Sequence, residues 1–185
     1  MAGTGPMRHF TLTIASLALA APSLPAVVAA PAVAPVTQCK KGETALYSCS
    51  FGKSLGSVCA SSGAVHYRFG PAGKPVLDIA SDRDWSNVHL GGVIGGGGGS
   101  EQHLRFTNAD HDYVVFWGEQ GSLHDNPGKK WSGIHVARGG KQLAQLACKS
   151  NAWPPQDWRE LLDRSLPSHV GEVPVDTDPN FDMWL

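Results

Sequence analysis

Basic charge is in short supply in this 185-residue chain: fifteen Lys and Arg stand against sixteen Asp and Glu. Without residues 1–34, which read as a removable leader, Arg8 goes and no acid does, so the formal charge falls from −1 to −2. A nucleic-acid groove needs a basic excess to displace counterions, so nucleic acid is not an expected partner. Long apolar runs are just as scarce. Beyond residue 36 nothing approaches the roughly 20 apolar residues that cross a bilayer, so no stable span is expected after leader removal. Neither H-E-x-x-H nor paired Cys/His spacing occurs. The glycine run at 95–99 lacks the Lys-Ser/Thr and following helix of a phosphate-binding loop. No metal and no cofactor is therefore expected.

Residues 1–34 carry a short basic start at Arg8, an apolar stretch over 10–21 and a run of Ala, Val and Pro. That order is the pattern of a secretory signal, with Pro22 and Pro25 interrupting a would-be membrane helix. A periplasmic or secreted location follows. All four cysteines, Cys39, Cys49, Cys59 and Cys148, lie beyond the leader, and in an oxidising compartment two disulfides are expected. Three pairings are open. The favoured one joins Cys49 to Cys59 across a hairpin and Cys39 to Cys148 across the ends of the domain.

The segment 44–70 organises the rest. Ala45, Tyr47 and Cys49 alternate with Leu46, Ser48 and Ser50, as in a half-buried strand. A turn at 51–56 leads to a second run at 57–61, and Ser61-Ser62-Gly63 turns the chain into a third at 64–69. Further strand-like runs cover 74–80, 88–94, 102–107, 113–117, 131–138 and 141–148, with 95–99 read as a flexible loop. Gly139-Gly140 supplies the positive φ angles of a two-residue hairpin. Eight or nine short strands without intervening helices predict a mainly β domain over 35–150, an antiparallel small barrel or sandwich. At 151–167 a short amphipathic helix is expected, with Trp158, Leu161 and Leu162 on one face and Glu160 and Arg164 paired four residues apart. The acidic, proline-punctuated tail at 168–185 reads as disordered.

Gly52-Lys53-Ser54-Leu55-Gly56 matches the G-x-S-x-G nucleophile elbow, but a strand follows where the elbow needs a helix. A hairpin turn is the expected role. Asp110-His111-Asp112 is the densest set of metal-ligand types, and its expected role is a solvated turn. His66 and Arg68 in one strand, and His103 and Arg105 in another, repeat a cationic side opposite an apolar one. On neighbouring strands these four residues form a binding patch that strengthens as histidines protonate.

Gly42-Glu43, Tyr47-Ser48-Cys49, the Ser57–Ser61 run, Tyr67-Arg68-Phe69-Gly70 and the 139–148 ending resemble a family of small secreted proteobacterial proteins of unknown function. Tyr47-Ser48-Cys49, Ser132-Gly133 and Lys141 also resemble, more weakly, the bacterial inhibitors of C-type lysozyme. Those are small β-barrels that plug the enzyme's cleft with a loop serine and a nearby lysine. The second resemblance implies Ser132 and Lys141 as binding residues and lysozyme as partner. It departs from the inhibitors where Ile134-His135-Val136 replaces their tyrosine after Ser-Gly. The resulting expectation is a binding protein of the cell envelope, with lysozyme or an envelope component as partner and no catalytic residue. The alternatives are a small secreted hydrolase using Ser54, a metal-dependent enzyme around His111, or an envelope structural or stress protein.

Overall fold

The computed structural model describes residues 1, 36–95, 97–149 and 154–170. The leader and most of the tail expected to be disordered lie outside these. The chain falls into two compact units, Met1–Val33 and Ala34–Leu185. Every element below belongs to the second.

Period-two alternation builds two antiparallel sheets, each a run of hairpins in chain order. The first sheet holds β1 (Thr44–Ser50), β2 (Leu55–Ser61), β3 (Ala64–Gly70) and β4 (Leu77–Ala80). The second holds β5 (Val88–Ile94), β6 (Ser100–Asn108), β7 (His111–Glu119), β8 (Lys130–Arg138) and β9 (Lys141–Ala147). The glycine run read as a loop closes the β5–β6 hairpin, with Gly95 N donating to Gly99 O at 2.8 Å. Gly139 and Gly140 have φ of 54° and 76°, as the β8–β9 turn demands.

The sheets do not close into a barrel. They stack as a sandwich whose core is filled from both sides by Tyr47, Val58, Tyr67, Phe106, Val115 and Ile134, among others. Tyr67 of β3 reaches across to Phe106 and Tyr113, each with ring centroids 5.8 Å away. Gly56 leaves room for Ile134 of the other sheet, whose Cδ1 stands 2.7 Å from where a β-carbon would sit. The connection between the sheets sends Trp85 into the core at a φ of 60°, a conformation rare for a bulky residue.

Two expectations are corrected. Strict alternation in β1 fails at Leu46, because a β-bulge between Ala45 and Tyr47 inserts one residue and leaves Leu46 and Tyr47 both buried. The disulfides are Cys39–Cys59 and Cys49–Cys148, the reverse of the favoured pairing. Register explains the exchange: β1–β2 pairing sets Cys49 opposite Gly56 and Cys59 opposite Ala45, too far apart along the ladder to bond. Cys49 instead joins the two sheets. Cys39 holds the segment before β1 against the outer face of β2.

The helix α1 (Trp158–Ser165) packs against β1, β2 and β3. Leu162 is wholly buried, Trp158 meets Trp117 edge-on with ring centroids 5.0 Å apart, and Arg164 pairs with Glu160 as its spacing predicts.

Candidate binding cleft

The four residues expected to form one cationic patch lie on two different sheets. His66 and Arg68 belong to β3, His103 and Arg105 to β6. Nor does either pair face solvent as expected, since Arg68, His103 and Arg105 are all buried.

Arg68 points away from the core, but residues 36–43 cross over that face. Gln38 Nε2 donates to the carbonyls of Gly70 and Pro71 at 3.0 and 2.8 Å, and Gln38 N donates to Ser57 Oγ at 3.0 Å. Glu43 then accepts from both terminal nitrogens of the Arg68 guanidinium, end-on, and Asp78 of β4 accepts from its Nε at 2.8 Å. The bond from Arg68 holds the Glu43 carboxyl below the usual carboxylate range. Burial alone would raise Asp78, but hydrogen bonds from Arg68 and His66 outweigh it and hold that carboxyl at about 2. All three guanidinium nitrogens of Arg68 donate to carboxylates, which makes Arg68 a structural clamp rather than a surface for ligand.

Ser132 also departs from its expected setting. It lies within β8 on the inner face, buried, where Tyr47 OH donates to its Oγ at 3.4 Å. Burial pushes the Tyr47 hydroxyl up to about 12, keeping it a neutral donor. Lys141 is exposed at the start of β9, opposite Arg138, whereas Ser132 lies beside Cys148 at the other end of the same hairpin. The two residues are separated by most of a strand length.

At the Lys141 end the second sheet opens into a cleft of about 520 Å³, lined in part by Asn87, His89, Arg105, Asp112 and the Gly139–Gly140 turn. Arg105 Nη1 donates to Thr107 Oγ1 at 2.7 Å and to Asp112 Oδ1 at 3.1 Å, and Thr107 donates to the same carboxylate at 2.7 Å. Hairpin register places these groups together: Arg105 and Thr107 are two apart on β6, and Thr107 faces Asp112 on β7. At the rim, Asp110 accepts from Arg138 Nε at 2.6 Å and pairs with His111 at 2.7 Å. The Arg138 bond holds Asp110 below its ordinary range. The Asp110-His111-Asp112 cluster is thus a salt-linked turn and cleft wall. Sequence could pair Arg105 with Asp112 only once the β6–β7 register was known.

Ser54 sits in the β1–β2 turn, where its carbonyl accepts from Phe51 N at 2.8 Å. Among the described residues no histidine or carboxylate hydrogen-bonds its hydroxyl. The one group of His, Cys, Asp and Glu among the described residues close enough to share an ion is Cys39, Glu43 and Cys59. The disulfide and the Arg68 clamp already engage all three. Among the described residues no helix is long and apolar enough to cross a membrane. The chain matches no protein-family model, no curated protein and no solved structure.

Proposed function

We propose that this chain is an exported binding domain of the cell envelope, whose partner docks at the turn end of the five-stranded sheet. The observation that carries the reading is the cleft itself, a recess about as large as a small-molecule or side-chain pocket, whose wall the Arg105–Thr107–Asp112 hydrogen bonds hold in shape. The two disulfides suit an oxidising, extracytoplasmic setting. Lys141 follows the Gly139–Gly140 turn directly, so it supplies a rim cation for a partner carboxylate.

A C-type lysozyme is the partner to test first. Lysozyme turnover is measured with wild type and with Lys141→Ala. A charge-assisted hydrogen bond of roughly 1.5 to 3 kcal/mol is about ten- to a hundredfold in affinity. Inhibition by wild type that weakens by that factor in the variant supports this partner, whereas no inhibition at micromolar protein ends the lysozyme reading. Envelope extract passed over wild type and over Asn87→Ala then tests the cleft itself, since a partner retained equally by both does not use it. A hydrolase panel with wild type and Ser54→Ala runs beside these. Hydrolysis abolished by that change would overturn the binding reading in favour of an enzyme.

A further inference from the structure

An edge strand leaves a row of backbone N–H and C=O groups without a neighbour, and β1, β4, β5 and β9 are the edges of these two sheets. Three of them are blunted. β1 carries the bulge at Leu46, β4 is four residues long and follows Pro75, and β5 is largely buried over residues 88–91. β9 is open by comparison. Lys141, Gln142, Leu143, Gln145 and Ala147 are all exposed, Leu143 at 52%.

The ladder with β8 shows which way the β9 backbone points. Cys148 N donates to Ser132 O at 2.8 Å, and in the same register Ala147 stands opposite Gly133 and Gln145 opposite His135. Hydrogen-bonded and non-hydrogen-bonded positions alternate along an antiparallel pair. Cys148, Leu146 and Ala144 therefore bond to β8, while Ala147 and Gln145 turn their N–H and C=O groups to the open side. Among the described residues nothing bonds those outward groups. β1 meets this edge only past its end, where Lys149 N donates to Ser50 O at 3.1 Å. The register skips Leu143, so the resulting bulge sits toward the Gly139–Gly140 turn and residues 144–147 stay regular.

Charge and polarity select the occupant. From Gly139 to Lys149 the chain holds two cations, Lys141 and Lys149, and no acid. Lys149 Nζ lies over Gly52, 3.6 Å from where a β-carbon would sit, next to the exposed Lys53. Between the cations, Ala144 and Leu146 face the core side opposite Val136 and Ile134 but are only half-buried, an apolar strip that one more strand would cover. A second copy is the poorer occupant. Antiparallel pairing of β9 with itself about Ala144 sets Lys141 of each copy beside Ala147 and close to Lys149 of the other, cation against cation.

We propose that β9 receives an extended segment of a partner protein, which adds a strand to the five-stranded sheet and carries carboxylates at its two ends. Backbone bonds to Gln145 and Ala147 hold the segment. Its alternate apolar side chains cover Ala144 and Leu146, and its carboxylates meet Lys141 and Lys149. This surface runs along the sheet edge, shares only the rim residue Lys141 with the proposed docking site, and does not rest on that reading.

The probe is a short fluorescein-labelled peptide of alternating valine and threonine with aspartate at both ends, titrated against the full exported chain by fluorescence anisotropy. The same peptide with lysine at both ends is the comparison. The acidic peptide should bind about tenfold tighter, the sum of small attractions gained and repulsions avoided at two exposed sites. It should also slow amide hydrogen exchange at Gln145 and Ala147, leaving Ala144 and Leu146, already bonded to β8, unchanged. Gln145→Pro removes an open-side donor without touching a β8 bond, and should weaken binding about tenfold or more. Lys141→Glu/Lys149→Glu alters exposed side chains alone and should reverse the preference toward the basic peptide, which keeps the test decisive if the proline variant does not fold. Asn87→Ala, in the cleft, should leave peptide affinity as it is. Equal affinity for the two peptides, or unchanged exchange at Gln145 and Ala147 in the bound state, would overturn the proposal. Binding lost in Asn87→Ala but kept in Gln145→Pro would overturn it as well and assign the peptide to the cleft. Sedimentation that shows a dimer of wild type, dissociated by Gln145→Pro, would overturn it in favour of a second copy on β9.

Discussion

Glu43 Oε1 lies 2.9 Å from Arg68 Nη2 and its Oε2 2.5 Å from Nη1, so a carboxylate that precedes the first strand clamps a guanidinium with no solvent exposure. Such a fork fixes direction as well as charge, and lysine does not reproduce it. Arg68→Met keeps the volume but strands Glu43 and Asp78 against each other. Breaking a buried pair by removing one member costs about 3 to 5 kcal/mol. Urea unfolding of Arg68→Met is expected to show a loss of that size, and of Arg68→Lys most of it.

The same cluster sets acid sensitivity. Both carboxyls sit lower in the folded chain than in the unfolded one, Asp78 at about 2 against 3.8. Depressed carboxyls contribute stability that is complete above their unfolded values and is lost as pH falls through the folded ones. Urea midpoints measured from pH 5 down to pH 2 should therefore drop mainly below about pH 4, and the drop should be shallower in Asp78→Asn. A midpoint independent of pH over this range would contradict the clamp.

The two bridges differ in reach, spanning 20 and 99 residues. In the chain-entropy model these are worth about 3 and about 5 kcal/mol. Peptide mapping without reduction should recover Cys39 with Cys59 and Cys49 with Cys148, and thiol labelling of the denatured, unreduced chain should find none. Replacing Cys49 and Cys148 by serine should lower the thermal midpoint further than replacing Cys39 and Cys59.

Ser132 and Lys141 should separate cleanly in experiment. Ser132→Ala removes the acceptor of a buried tyrosine hydroxyl and should cost about 1 kcal/mol in unfolding while leaving partner affinity alone. Lys141→Ala at an exposed strand start should leave stability within about 0.5 kcal/mol. If instead Ser132→Ala abolishes binding in a fully stable protein, β8 is displaced in the bound state.

Local pattern made the strands and turns legible. Val65 and Tyr67 against His66 and Arg68, or Leu104 and Phe106 against His103 and Arg105, show which side of each strand meets the core, and Gly139-Gly140 marks its own turn. Alternation does not say what lies on the other side. Arg68 reads as solvated until residues 36–43 are placed over it, because a covering segment leaves no period in the strand it covers. The bulge at Leu46 is hidden for a related reason: one inserted residue shifts the period without changing the composition. The cysteine pairing depended on register and sheet stacking together, neither of which a spacing encodes. The Arg105–Asp112 contact needed one register only, and the Asn108–Asp110 turn between β6 and β7 was already readable.

Because each sheet is a meander in chain order, β1 to β4 and then β5 to β9, no strand crosses from one half of the sequence to the other. The fold is therefore divisible in a way that interleaved sandwiches are not. A protease cutting once within the 82–87 connection would spare every ladder, and Cys49–Cys148 would keep the halves covalently joined. Nicked protein should migrate as one species until reductant is added and as two thereafter, with each fragment retaining a whole sheet's complement of strands.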